Sequence, residues 1–234
     1  MLNCFETGSP KGDYSNVSIF ADGPGDRRQI TYGRSQTTEW GHLQKLIDAY
    51  VDAKGAHADF FDDYVPLIGV KSLVNDKLFI AKLKEAGKEP LMQQVQDAFF
   101  DKHYWEPAYK FMTENGFTSP LAGLVIYDSY IHSGSIPAFL RRRFDAVPPA
   151  KGGTEKEWIS QYLAVRLSWL ANHSRPILRK TVYRVKNLQA AVAAGDWALS
   201  RPFMANGIRN LSTAIMSDIW TLDVPFPGDG VVTP

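Results

Sequence analysis

Two carboxylates and a threonine near the start of the chain have the types and spacing to act together in chemistry. Glu6 lies in the opening segment, Asp26 lies in a glycine-rich stretch, and Thr31 follows Asp26 by five positions. Cleavage of a glycosidic bond needs one carboxyl group that protonates the leaving oxygen. A second carboxyl group must attack the sugar or activate a water. Glu6 and Asp26 are candidates for this pair.

The surroundings of the two acids differ in the way that such a pair requires. Glu6 follows an apolar stretch, residues 1–5, and an apolar setting raises the pKa of a carboxylic acid, which suits a proton donor. Asp26 stands beside Arg27 and Arg28, and neighbouring cations favour the charged form that a base needs. The sequence therefore predicts Glu6 as the acid and Asp26 as the base.

Thr31 suggests which of two mechanisms applies. A threonine hydroxyl beside Asp26 can hold a water in line for attack, and a water-activating base predicts inversion, with the two carboxyls roughly 6.5–9.5 Å apart. The same three residues also fit structural roles, because acids occur at chain starts and turns and threonine favours strands. Spacing alone leaves both interpretations open.

A hairpin must position Asp26 and Thr31. The segment 13–22 alternates in a strand-like pattern, GPGD is a turn signal, and RRQITYG predicts a returning strand. From residue 42 onward the pattern is helical, with apolar residues at i, i+3, i+4 and i+7. Glycines at 87, 116 and 195 end predicted helices.

The predicted architecture is mainly α (α+β), with a small N-terminal sheet and a substrate cleft. We expect one domain over residues 1–234, with a minor lobe at about 10–41 and a helical major lobe at about 42–234. The segment 119–134 is apolar nearly all round and predicts a central buried helix. The break at 145–153 is the clearest linker.

Composition narrows the class of protein. The chain has 234 residues, 44% hydrophobic residues and a formal net charge of +1, which does not favour a nucleic-acid or membrane-surface partner. Cys4 is the single cysteine, so an internal disulfide is impossible. The sequence shows no metal-ligand spacing and no phosphate-binding loop, and we expect no metal and no cofactor. Without a long apolar run, no membrane insertion is expected.

The predicted hairpin and its flanking residues resemble a known protein family. Glu6, the hairpin and DRRQIT followed by YG resemble the catalytic region of the family 46 glycoside hydrolases, the chitosanases of the lysozyme-like superfamily. The resemblance implies a two-lobed lysozyme-like fold and an endo-acting, inverting hydrolase. It implies Glu6 as general acid, Asp26 as general base in D-x-R-x-x-T, Thr31 as the residue that orients water, and Arg28 near the substrate. Further similar segments follow in the same order: 96–108, 126–134, 147–166 and 195–203.

The resemblance also implies a buried structural ion network behind the cleft. Asp128 and Arg166 match two of its positions, and either Arg179 or Arg184 is the third member. A buried aspartate on so apolar a helix requires a charged partner, because an unpaired buried charge is very costly.

Further residues are candidates for substrate contacts. His132 matches a family histidine, and Glu39 lies near the position where relatives carry an aspartate, which is Gly41 here. Asp22 rivals Asp26 as the base, although only Asp26 keeps the motif spacing. Aromatic rings that could stack on sugars are Tyr32, Trp40, Tyr127 and Trp169.

The choice of sugar polymer stays open in the sequence. Chitosan, a β-1,4-linked amino-sugar polymer, is expected first, but the segment after Arg166 lacks the acidic residues that hold a polycation. A peptidoglycan muramidase and a catalytically silent sugar-binding relative are the alternatives. A polysaccharide partner, a monomer and a secreted, extracellular location are expected, although no export signal is visible in the chain.

Overall fold

The computed structural model describes residues 12–34 and 36–201, together with two short strands at 203–205 and 208–210. Its helices are α1 Leu43–Asp52, α2 Ala58–Asp62, α3 Lys77–Ala86, α4 Pro90–Phe100, α5 Glu106–Asn115, α6 Pro120–Ser133, α7 Ala138–Arg141, α8 Glu155–Ala171, α9 Pro176–Arg179 and α10 Val182–Ala193. Its strands are β1 Val17–Ala21, β2 Arg28–Tyr32, β3 Thr37–Thr38, β4 Phe203–Ala205 and β5 Ile208–Asn210. The predicted mainly helical class with a small sheet is confirmed.

The predicted hairpin is present and a third strand extends it. Strands β1 and β2 are antiparallel, with Ile19 opposite Ile30 and Ser18 opposite Thr31, and β3 pairs with β2 through Thr31 and Thr38. Side chains alternate between the two faces of a strand. In β2 this alternation sends Ile30 into the core and places Thr31 on the opposite face of the sheet.

Two separate hydrophobic clusters form the interior. The first joins the hairpin to α1, α2, α3 and α4, from Ile30 to Phe99. The second surrounds α6 and α8 and extends from Ala108 to Leu199. The division between the clusters falls near residue 100. The hairpin is too small to bury its own apolar face and packs on the helices that follow it. The expected lobe bounds, at about 10–41 and about 42–234, stay a prediction.

The helix ends follow from local chemistry. The Thr154 hydroxyl accepts a hydrogen bond from the Glu157 N–H and so caps the start of α8. The Ser119 hydroxyl caps α6 by accepting from Ala122 N–H, and eight residues of α6 are buried. This helix is the central one that the sequence predicts.

A π-helical turn interrupts the helical run that starts at Pro90 and ends before Gly116. It covers Asp101–Trp105 and connects α4 to α5. Pro107 lies two residues beyond this segment, and a proline has no N–H to donate back to the preceding turn. Phe100 and Trp105, at the two ends of the segment, both pack on Tyr127 of α6.

Candidate active site

The hairpin tip presents Asp26 to solvent. Gly25 and Asp26 both have left-handed backbone conformations, with φ of +64° and +56°. Gly23 N–H donates to the Arg27 carbonyl at 3.0 Å, and a Cβ at Gly23 would lie 2.9 Å from that oxygen. The glycines therefore permit a tight turn, and the Asp26 side chain stays 80% exposed at its tip. A carboxylate in this position is open to water and to a bound polymer.

Asp22, the rival base, has a structural contact that Asp26 lacks. Its Oδ1 accepts from Gln29 Nε2 at 2.8 Å, and Gln29 Oε1 accepts from the Trp40 N–H at 3.3 Å. The Asp22 side chain therefore helps to hold the start of the hairpin turn against β2 and against the segment after β3. This geometry favours Asp26 over Asp22 as the residue that is free to activate water.

Thr31 is positioned to hold a small molecule. Its side chain is on the same face of the sheet as Gln29 and is only 4% exposed. Its hydroxyl has no hydrogen-bond partner among the described residues. A buried hydroxyl without a protein partner commonly binds water, so Thr31 can perform the water-orienting role implied for it.

An open trough runs past the hairpin tip. Depressions of about 520 and 490 Å³ are both lined by Asp22, Asp26 and Arg175. A third depression, of about 360 Å³, adjoins the first at Thr38. It continues toward His132 at the end of α6. The trough is therefore bordered by the sheet on one side and by the helical body on the other.

Arg175 joins the two sides of the trough. It lies immediately before α9, and its guanidinium donates to the backbone carbonyl of Asp22 at 2.6 Å. Its Nε lies 3.8 Å from Asp26 Oδ1. The residue thus holds the hairpin tip from the helical part of the chain, and sequence reasoning missed it. The local signal, an arginine before a proline, gives no indication of a partner so far away in the chain.

Replacing Arg175 by methionine should lower kcat for the hydrolysis that the family resemblance implies by about three- to tenfold, because the hairpin tip loses a charge-assisted hydrogen bond. Arg175→Lys, which keeps the cation, should restore part of the activity with KM little changed. Lys180→Met, in the same depression, is the matched control and should behave as wild type. The measurement is the steady-state release of reducing ends. Equal activity of Arg175→Met and wild type would show that Arg175 does not position the hairpin tip.

The buried ion network is present behind the trough, and Arg184 is its third member. Asp128 is fully buried; Arg166 Nη1 donates to its Oδ2 at 2.7 Å, and Arg184 Nη2 and Nε donate to its Oδ1 at 2.6 and 3.0 Å. Burial alone would raise the pKa of Asp128, but Arg184 and Arg166 outweigh it and lower the pKa to about 2. Arg179 instead donates to the carbonyls of His173 and Ser174.

His132 follows Asp128 by one helical turn and lines the trough. Burial, with the nearby Arg184 and Arg166, lowers the pKa of His132 to about 3. The imidazole is therefore neutral at ordinary pH and can accept or donate a hydrogen bond without carrying charge. Its position is compatible with the substrate contact expected of it.

The structure corrects two expected substrate contacts. Tyr32 is fully buried in the first cluster, so its ring cannot stack on a sugar. Glu39 is 1% exposed, and its two carboxylate oxygens accept from the backbone N–H groups of Ile30 and Leu73. Glu39 ties the loop before α3 to strand β2. Both residues stabilise the wall of the trough from behind.

Glu39→Ala should lower the free energy of unfolding by about 2–3 kcal/mol, because each buried donor left without an acceptor costs about 1–3 kcal/mol. The measurement is urea unfolding at neutral pH. Glu114→Ala, on the exposed side of α5, serves as the control and should change the stability by less than about 0.5 kcal/mol. A Glu39 variant as stable as this control would contradict the structural assignment.

The other residues predicted to contact the substrate differ in where their side chains lie. Trp40 lines the trough beside Asp26, and its role as a sugar platform stays a prediction. Tyr127 packs against Phe100 and Trp105, and Trp169 packs between Phe139 and His173. Arg28 is exposed at the start of β2, on the face opposite Gln29 and Thr31.

Glu6 and Cys4 lie outside the described residues, so the separation of Glu6 from Asp26 stays a prediction.

Within the described part of the chain, histidine, cysteine and acidic side chains form no group suited to a metal ion. In the same residues, none of the helices combines the length and apolar character needed to cross a bilayer.

A family model identifies the family, and similar proteins share the fold. A model of glycosyl hydrolase family 46 matches residues 2–203. The chitosanase of Bacillus subtilis strain 168 is 28% identical over 221 residues, which covers 86% of this chain and 78% of that protein. The native chitosanase of Bacillus subtilis MY002 superposes with a TM-score of 0.79 at 24% identity, covering 90% of this chain and 95% of that one. The chitosanase of Gynuella sunshinyii, in complex with chitotetraose, gives 0.78 at 23% identity, with 89% and 93% covered.

Proposed function

Because the chain belongs to glycosyl hydrolase family 46 and is a glycoside hydrolase with the lysozyme-like fold, we propose that it cleaves chitosan internally with inversion. The observation that carries the proposal is the open trough in which the exposed carboxylate of Asp26 faces the opposite lobe. Surface depressions that adjoin one another can hold successive sugars of a polymer, whereas a closed pocket would accept only a chain end.

The proposed reaction uses three side chains. Glu6 donates its proton to the glycosidic oxygen as the bond from that oxygen to the anomeric carbon breaks. Asp26 takes a proton from a water whose oxygen forms the new bond to the same carbon, on the opposite face of the sugar. Thr31, with its unpartnered buried hydroxyl, holds that water. After product release, Glu6 regains a proton and Asp26 loses one to solvent.

The substrate also suggests where the enzyme works. A polysaccharide cannot cross a membrane unaided, so we propose that the protein acts outside the cell. The depressions that surround the proposed base are lined by residues of one chain, and we propose that the enzyme is active as a monomer.

The test compares two polymers. The protein is incubated with soluble chitosan and, separately, with purified cell-wall sacculi, and reducing ends and soluble muropeptides are measured. Release from chitosan alone, with the α-anomer formed first in proton NMR spectra, supports the proposal. Solubilised muropeptides alone would instead identify a muramidase, and first formation of the β-anomer would overturn inversion.

A further inference from the structure

The turn that carries the proposed base is exposed and held loosely at its tip. Residues 24–28 are all exposed, and the Arg175 Nε lies 3.8 Å from the Asp26 Oδ1. Gly25 and Asp26 both have left-handed backbone conformations. For a residue with a side chain, such a conformation costs free energy and persists only where the surroundings fix it. The position of the Asp26 carboxylate therefore depends on what lies beneath the turn.

The Trp40 ring lies beneath this turn. A Cβ built on Gly23 would be 3.1 Å from Trp40 Cδ1, so the buried Gly23 backbone packs against the edge of the indole. The Arg27 guanidinium lies over the same ring at 6.0 Å from its centroid, a distance at which a cation is still attracted to an aromatic face. Residues at both ends of the turn thus contact one side chain.

Gln29 connects the Trp40 segment to the start of the turn. Its Oε1 accepts from the Trp40 N–H at 3.3 Å, and its Nε2 donates to the Asp22 Oδ1 at 2.8 Å. Gln29 is buried and belongs to strand β2, so this link starts from a fixed part of the sheet. The Trp40 Nε1 is buried and has no hydrogen-bond partner among the described residues. The Trp40 side chain therefore supports the turn through its ring.

We propose that Trp40 is a positioning residue for the general base, with its ring supporting the Asp26 turn from below while Arg175 holds the turn from the side. The inference rests on the proposed function and adds a residue to its machinery. It differs from the expectation that Trp40 stacks on a sugar. A sugar platform contributes to substrate binding, whereas a support for the base contributes to the rate of the chemical step.

The first test measures kcat and KM separately. Trp40→Ala should lower kcat on chitosan by about 10- to 100-fold with KM little changed, because a displacement of about 1 Å at a catalytic group can cost 10²-fold. Trp40→Phe keeps an aromatic ring under the turn, so its kcat should stay within about fivefold of wild type. A raised KM with unchanged kcat in Trp40→Ala would identify a sugar platform and overturn the proposal.

A matched control separates loss of positioning from loss of folding. Trp197→Ala removes an indole that packs against the second cluster. Both alanine variants should be less stable in urea, and kcat is compared at a temperature at which circular dichroism shows both to be folded. Trp197→Ala should keep the wild-type kcat. An equal fall of kcat in both variants would mean that Trp40 only stabilises the fold.

The second test asks whether Trp40 acts through Asp26. In Asp26→Asn the base is already absent, so adding Trp40→Ala should lower the residual kcat by less than about twofold. If Trp40 were a platform or a purely structural residue, the second substitution would lower kcat by the same factor as in the wild-type background, and the proposal would be wrong. Failure of the proposed function would look different, because the wild-type protein itself would release no reducing ends from chitosan.

Discussion

Asp26→Asn is expected to lower kcat on chitosan by about 10²- to 10⁴-fold, the usual loss when a general base is removed. KM should change little, since one exposed carboxylate contributes little of the contact surface with a polymer. Asparagine tolerates the left-handed backbone conformation of position 26, so the turn should survive the substitution. Glu6→Gln should cause a comparable loss by removing the proton donor.

The matched control for this prediction is Asp22→Asn. Both acids line the same depressions, but the Asp22 side chain accepts from Gln29, and an asparagine oxygen can still accept that bond. We expect activity within about tenfold of wild type, since the loss is at most one charge-assisted hydrogen bond. A severe loss of activity in Asp22→Asn, with normal activity in Asp26→Asn, would identify Asp22 as the general base and Asp26 as the structural residue.

Thr31 extends the same test to the attacking water. Thr31→Val keeps the shape of the side chain and removes the hydroxyl, whereas Thr31→Ser keeps the hydroxyl. The serine variant should retain more activity than the valine variant, with equal folded stability in urea. If both variants lose activity equally, the hydroxyl does not hold the water.

The elements that carry the site could be predicted from local signals. Alternating residues, a glycine-rich turn and a returning strand specify the hairpin, and the turn places Asp26 at its tip. The apolar sequence of α6 indicates burial on all sides, and that burial is why Asp128 needs cationic partners. In these cases the physical requirement is visible within a few neighbouring residues.

Long-range contacts could not be predicted in this way. Arg175 reaches Asp22 across 153 positions, and nothing near Arg175 in the sequence indicates that partner. Glutamate is usually exposed, so the burial of Glu39 depends on two backbone donors that only the folded chain brings together. The third member of the ion network stayed open between Arg179 and Arg184 because the break between α9 and α10 changes which of them faces α6.

Asp128→Asn should lower the free energy of unfolding by about 3–5 kcal/mol at neutral pH, because two buried guanidiniums lose the carboxylate that lies between them. Arg166 already has Nε and Nη2 without hydrogen-bond partners among the described residues, so it has little compensation available. The measurement is equilibrium unfolding in urea. Asp145→Asn, at an exposed aspartate, is the control and should match wild type.

The pH dependence distinguishes loss of charge from loss of packing. The pKa of Asp128 is lowered to about 2 in the folded protein, against about 3.9 in an unfolded chain. Its contribution to stability is therefore complete above about pH 4 and is lost as the pH falls toward 2, because the unfolded state then binds the proton more readily. The stability difference between wild type and Asp128→Asn should shrink over that range. A difference that stays constant from neutral pH to pH 2 would mean that the variant is weakened by packing and that the ion network does not operate through charge.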